Sequence, residues 1–329
     1  MEQTQTIHDV TEAQERTLRA RAGSFAQQQS ALILLVLVCV IATARYEAFL
    51  TAENLLNILR QNSMLGIVAL GMTFVILTSG IDLSVGALLA VAGVIAANLA
   101  NQGIAVALVA AVAATSALGI INGVLIAKAR IQPFIVTLGM MIAARGLALA
   151  ATGEESVAIK GAGDFTWLGR GFIGFLPVPV VLLVILYAAG WLVLNYTRFG
   201  RHVFSIGDND EAARLMGLNV SRVTIAVYAL SGLLAGLAGV VLASRLNAGQ
   251  PVAGIGWELD AIAAVVVGGT LLTGGKGSVV STLFGVLLLG VIFNIFNLEG
   301  QISPWWQLVF RGVILLIVVV LQNRLTRLK

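Results

Sequence analysis

Residues 77–86 read Leu77-Thr78-Ser79-Gly80-Ile81-Asp82-Leu83-Ser84-Val85-Gly86, or LTSGIDLSVG, and stand between GIVALGMTFVI at 66–76 and ALLAVAGVIAA at 87–97. Neither neighbour offers a soluble surface to the aspartate. Gly, Ser, Thr and Asp are turn residues, so the stretch interrupts an apolar run rather than continuing it. Each flanking run, extended to its own limits, approaches the roughly 20 residues that cross a bilayer. The break therefore reads as the junction of two membrane spans.

Composition supports that scale. The chain has 329 residues, of which 58% are hydrophobic and 11% charged, where a soluble domain carries about 25% charged residues. Its mean hydropathy is +0.96. One soluble core does not shelter so much apolar surface. The fold class is all-α, a polytopic transmembrane helical bundle. The formal charge of +4 comes from basic residues spread singly between apolar runs, the pattern of topology determinants and not of a nucleic-acid surface. Cys39 is the single cysteine, and His8 and His202 are far apart. No intrachain disulfide, metal site or catalytic constellation follows from these residues.

Ten apolar segments are candidate spans: about 30–48, 62–80, 84–101, 104–127, 132–151, 176–196, 223–244, 258–273, 279–297 and 305–322. An even number puts both termini on one side. With residues 1–29 inside as a polar cytoplasmic tail, most Lys and Arg gather inside, while Arg45, Arg60, Arg145, Lys160, Arg170, Arg245 and Arg311 fall outside or near it. The positive-inside rule then makes both termini cytoplasmic. Ala42-Thr43-Ala44 looks like a cleavage site, but the preceding segment is long and net acidic, unlike a signal peptide. Residues 30–329 form the transmembrane domain. Its outer connection, 152–175, carries Phe165, Trp167, Phe172 and Phe175, which suit a membrane interface. Gly119-x3-Gly123 and Gly232-x3-Gly236, followed by Gly239, suit close helix packing in lipid.

The inner loop 197–222 contains Asp208-Asn209-Asp210 before Glu211-Ala212-Ala213-Arg214-Leu215-Met216-Gly217. An Asx side chain followed by acids opens a helix, and a glycine in the left-handed region closes one. About two turns are predicted. Ala212, Leu215 and Met216 form an apolar edge, and Glu211 and Arg214 supply charge at a spacing of three. Such a helix either rests on headgroups or docks a cytoplasmic protein. Lipid-resting helices usually present a broad Leu, Phe or Trp face, which this one lacks.

Glu211-Ala212-Ala213-x3-Gly217, E-A-A-x-x-x-G, resembles the coupling motif of membrane subunits of bacterial ABC importers. LTSGIDLSVG at 77–86 and LDAIAAVVVGGTLLTGGKGSV at 259–279 resemble the sugar-permease branch, the ribose, galactose, arabinose and xylose type. The similarity runs from about Ser30 to the C terminus. It implies a permease in the bacterial inner membrane that pairs with a second copy. It also implies a cytoplasmic ABC ATPase carrying ATP and magnesium, and a periplasmic or extracellular sugar-binding protein. Glu211, Ala212, Ala213, Arg214, Met216 and Gly217 then become the ATPase-coupling residues. Val220-Ser221-Arg222-Val223 stands where some branches carry Ile-x-Leu-Pro. GxxxxGKS/T is absent. Gly274-Gly275-Lys276-Gly277-Ser278 lacks its spacing and reads as a tight inner turn, so hydrolysis belongs to another chain.

Leu272-Thr273-Gly274-Gly275-Lys276-Gly277-Ser278-Val279 repeats the plan of 77–86: Leu-Thr, a break with small residues, a charge, then Ser-Val opening the next run. Matched interrupted segments point to a transport path, and both breaks face inside. Asp82 has three readings: a turn residue capping the next helix beside Ser84, a partner for a base at a gate, or a deeper group bonding sugar hydroxyls. The base rate for Asp after Gly favours a break at the inner mouth of the path. Among polar residues inside spans, Asn122, Asn294 and Asn297 join Asp82 and Ser84 as path or gate candidates. Their alternative is plain interhelical bonding. An ion-coupled secondary transporter of a small polar solute is the competing function. It would want acids within spans, and those near enough are Asp82, Glu258 and Asp260.

Overall fold

The computed structural model describes residues 31–159, 163–300 and 303–327. The tail 1–29 lies outside them. In chain order the elements begin with α1, Ala31–Arg45, then α2, Ala52–Leu77, α3, Val85–Leu99, α4, Ile104–Ala127, and α5, Pro133–Thr152. Next come β1, Val157–Ala158, a short α6, Trp167–Arg170, and the hairpin β2, Phe172–Ile173, with β3, Leu176–Pro177. The chain continues with α7, Val178–Tyr196, α8, Arg198–Asp208, α9, Asp210–Leu215, and α10, Val220–Leu246. It ends with β4, Ala248–Gly249, α11, Trp257–Val267, α12, Val279–Glu299, and α13, Pro304–Arg327.

Among the described residues, seven helices are long and apolar enough to cross a membrane. Of the ten expected spans, 30–48, 305–322 and 258–273 are not among them, and the last is the clearest departure. Its helix, α11, has 11 residues and rises about 16 Å, roughly half of a 30 Å hydrocarbon core. Gly268 and Gly269 end it. Gly268 lies against Ser281 and Thr282 of α12, where a Cβ would stand 2.6 Å from the Ser281 carbonyl oxygen.

The bundle is built around α2 and α10, which pack against each other; α10 also packs against α3 and α4, and α2 against α7, α11 and α12. Residues Ser63–Leu77 of α2 are buried throughout. In lipid no hydrophobic force drives helices together, so close backbone approach and packing must do so. The small-residue motifs serve that purpose. Gly119 and Gly123 of α4 lie on the backbone of Tyr228 and Ile225, and Gly232 and Gly236 of α10 lie on Thr115. A rim of exposed apolar side chains remains, including Val109, Ile142, Leu147 and Ile185.

The 152–175 connection departs from a purely interfacial segment. Phe165 is buried, while Trp167, Phe172 and Phe175 are exposed. β1 pairs antiparallel with β4, Val157 opposite Gly249. The Gly169 amide donates to Ser244 Oγ at 2.8 Å, and Arg170 Nε donates to the Arg245 carbonyl at 2.7 Å. The connection is thereby fixed to the end of α10.

Candidate functional site

The break at 78–84 does not sit at the rim of the bundle. It climbs through it. The Tyr228 hydroxyl and the Thr137 hydroxyl both donate to the Ile81 carbonyl, each at 3.3 Å. Three residues further along α10, Ser231 donates to Asp82 Oδ2 at 2.7 Å. Higher still, Gly239 lies against Leu89 and Gly93 lies near Ala243. Residues 80–93 thus run parallel to α10 from Tyr228 upward. Ser231 is eleven residues into α10, about 16 Å from its start.

Asp82 is fully buried at 0% exposure. Its Oδ1 accepts from the Ser84 amide at 3.0 Å and from Ser84 Oγ at 2.6 Å. Asn122 Nδ2 then donates to Ser84 Oγ at 3.0 Å. The carboxyl group has hydroxyl and amide donors and no Lys or Arg partner among the described residues. Non-helical backbone at membrane depth persists only where other groups satisfy it, and Tyr228, Thr137 and Asp82 do so here. Asp82 also lies at the N terminus of α3, where the helix dipole favours an acid. It therefore combines two sequence readings: it shapes the turn, and it lies deep. Among the described residues, no base forms the ion pair that the gate reading calls for. Asn122 Oδ1, buried in the same cluster, has no hydrogen-bond partner among the described residues.

A second discontinuous segment comes down to meet the first. Residues 249–254 descend along α3, with Gly249 beside Val94 and Ala97 and Gly254 beside Gly86. α11 then starts inside the bundle with Glu258 and Asp260 in its first turn. A Cβ on Gly254 would stand 2.9 Å from the Gly86 oxygen, and one on Gly86 would stand 2.6 Å from Glu258 Oε2. So two interrupted segments run in opposite directions, each irregular and then helical, with the N termini of α3 and the short α11 face to face. Each start carries acids, for the same dipole reason. Interrupted segments with opposed helix starts are how transport proteins bring polar ends to the membrane interior.

Arg145 holds the descending segment. Its Nη1 donates to the Pro251 carbonyl at 2.5 Å and the Ala253 carbonyl at 2.8 Å. The residue sits within α5, inside the span expected at 132–151. Half-buried, it serves carbonyls that no helix or strand satisfies. Sequence reasoning did not single out Arg145, Ser231 or Tyr228 as site residues. The available signal was that a buried aspartate and a helix-free stretch each require donors from neighbouring spans.

Asn294 and Asn297 stand elsewhere. Asn294 exchanges amide bonds with Asn54 at 2.8 and 3.1 Å, and Asn297 is exposed and accepts from Gln307 at 3.2 Å. Both lie at the end of the bundle opposite the loop 197–222, well away from Asp82, since α12 begins beside Thr73 and ends beside Asn54.

The loop 197–222 folds into α8 and α9. Thr197 caps α8 through the Gly200 amide, and Asn209 caps α9 through the Ala212 amide at 2.9 Å. Gly217, at φ 82°, closes α9 with its amide on the Arg214 carbonyl. Ala213 is buried against the bundle, whereas Glu211 is exposed and Leu215 and Met216 are 88% and 70% exposed. Arg214 pairs with Asp210 at 3.4 Å, four residues away, and not with Glu211. A cavity of about 850 Å³ opens between α9 and the α4–α5 connection and reaches Gly80 and Tyr228.

The chain matches the family model described as branched-chain amino acid transport system / permease component over residues 54–319. It is 46% identical to the ribose import permease protein RbsC of Escherichia coli K12 over 303 residues, 91% of this chain and 94% of that one. It is 43% identical to RbsC of Bacillus subtilis, with 88% and 91% covered. It is 36% identical to the D-allose transport system permease protein AlsC of Escherichia coli, with 90% and 91% covered. No solved structure matches it. A helical membrane bundle with seven helices long enough to cross a membrane among the described residues, and a match spanning most of its length, make this chain a member of that transport-permease family.

Proposed function

We propose that the chain is the transmembrane permease subunit of an ATP-driven, binding-protein-dependent importer of a monosaccharide. The single observation that carries the coupling half of this reading is α9. It is a short, capped helix fixed to the bundle by Ala213, with Glu211, Leu215 and Met216 turned to solvent. A groove on a cytoplasmic ABC ATPase would receive that edge through Glu211, Ala212, Ala213, Arg214, Met216 and Gly217. ATP and magnesium belong to the ATPase, because this chain has no P-loop. The sugar half rests on relatives at 36–46% identity whose names specify ribose and allose.

In this reading both termini, the tail 1–29 and the loop 197–222 lie on the cytoplasmic side of a bacterial inner membrane. Two copies enclose the path, and a periplasmic or extracellular sugar-binding protein docks at the opposite end. Asp82, Ser84 and Asn122 hold the break that narrows the path on the ATPase side. Asn294 and Asn297 offer hydrogen bonds near the entry. The path itself needs few polar groups, since the binding protein supplies affinity and the permease must release its load.

The test is uptake in liposomes holding the chain, its ATPase and its binding protein, with labelled ribose, allose and arabinose offered in turn. Uptake that requires ATP and both partners supports the reading. Uptake driven by an ion gradient without either partner overturns it in favour of a secondary transporter, for which the buried Asp82 is the specific attraction.

A further inference from the structure

The two Leu-Thr breaks meet. Ser79 Oγ donates to the Thr273 carbonyl at 2.7 Å and reaches the Gly207 carbonyl at 3.2 Å. The Gly275 amide donates to the Leu77 carbonyl at 3.0 Å. Gly207 lies in the last turn of α8, two residues before the Asn209 cap of α9. A Cβ on Gly207 would collide with the Leu77 carbonyl oxygen, and one on Gly274 would collide with Ser79 Oγ. A Cβ on Gly275 would stand 2.9 Å from Asp208. Ser79 itself holds a left-handed backbone at φ 60°, a conformation that a non-glycine residue keeps only under outside restraint. Three stretches distant in sequence therefore touch backbone to backbone.

We propose that Ser79, Gly207 and the Gly274–Gly275 turn form the joint through which a protein docked on α9 moves both interrupted segments. This rests on the reading of α9 as the coupling helix. The physical reason is contact without slack. Backbone atoms in van der Waals contact have no side chain to absorb a displacement, so a shift of Asp208–Asn209 must be passed to 77–79 and 273–275 together. Ser79 is three residues from Asp82, and Thr273 is six from the end of α11. The cavity of about 850 Å³ beside Thr78, Ser79, Gly207 and Thr273 leaves room for the movement. Ser79 and Gly207 are positioning residues, acting through the segments they hold.

The test measures sugar moved per ATP hydrolysed in the reconstituted system, with ATPase binding measured separately. Ser79→Ala removes the hydroxyl and adds no bulk, so it keeps the fold. Gly207→Ala drives the contact apart. Both variants should bind the ATPase as the natural chain does and hydrolyse ATP, while labelled ribose moved per ATP falls about tenfold. Ser205→Ala, two residues back on α8, should leave the ratio unchanged. If Gly207→Ala fails to fold, Ser79→Ala decides alone. A ratio within roughly twofold of the natural chain in Ser79→Ala, or loss of ATPase binding in that variant, overturns the joint. Uptake that needs no ATPase overturns the coupling reading and the joint with it. ATP-driven uptake with unchanged variants overturns the joint alone.

Discussion

Asp82 and Asp210 both stand at the start of a helix, and their surroundings differ completely. Asp82 is 0% exposed and accepts three hydrogen bonds, two from Ser84 and one from Ser231. Asp210 is 60% exposed and has a 3.4 Å contact to Arg214, itself 45% exposed. An exposed ion pair adds about 0–1 kcal/mol. Each buried donor left without its acceptor costs about 1–3 kcal/mol. The first aspartate therefore belongs to the architecture of the break. The second belongs to a surface whose value lies in what binds it.

The comparison breaks most decisively at Asp82. Asp82→Leu strands the Ser84 and Ser231 donors together, a loss of several times about 1–3 kcal/mol. The folded protein should fail to purify as a single species in detergent. Asp82→Asn keeps a carbonyl oxygen for the Ser84 amide and should fold. If Asp82→Asn folds and binds the ATPase yet transports nothing, the carboxyl group acts in the path and not only in the turn.

Gly254→Ala comes next. It places a methyl 2.9 Å from the Gly86 oxygen at a backbone φ of +70°. Overpacking of that kind costs about 1–3 kcal/mol, read as a lower unfolding temperature in detergent. An unchanged transition would mean that the starts of α3 and α11 do not touch. Arg145→Met removes the donors to Pro251 and Ala253, worth about 1–3 kcal/mol between them, and should loosen the descending segment. Faster proteolysis at 250–256 checks this, and an unchanged digestion pattern would remove Arg145 from the site.

The smallest effects on stability fall on α9. Asp210→Ala should shift unfolding by less than about 0.5 kcal/mol. Glu211→Arg, equally exposed, should leave unfolding and membrane insertion alone but abolish ATPase co-purification and uptake. Normal uptake by that variant would remove Glu211 from the coupling site. If instead α9 variants destabilise the fold and Asp82 variants do not, the contrast between the two aspartates is inverted.

Much of α9 was legible in advance because its determinants are local. An Asx cap, acids in the first turn and a left-handed glycine all lie within the stretch from Asn209 to Gly217, so reading the string is nearly reading the structure. The partner of Arg214 was less legible: Glu211 and Asp210 are both within reach on a helix, and the choice fell at a spacing of four. At 258–273 an apolar run of passable length was read as a full span. The pair Gly268–Gly269 ends its helix after 11 residues, and packing against α2, α12 and α13 holds so short a helix in the bundle.

Sequence alone determined the solvent. Apolar fraction, scattered bases and interrupted runs suffice for a membrane bundle, because transfer from water to lipid depends on composition summed over a segment. It also marked both breaks, since Gly, Ser, Thr and Asp disfavour helix through their own backbones. Tertiary structure alone decided where those breaks lie. That Ser231 serves Asp82, that Arg145 serves Pro251, and that Leu77 meets Gly207 and Gly275 are contacts between residues tens to hundreds of positions apart. No local preference encodes such meetings. They follow from every buried polar group needing a partner in a medium that offers no water.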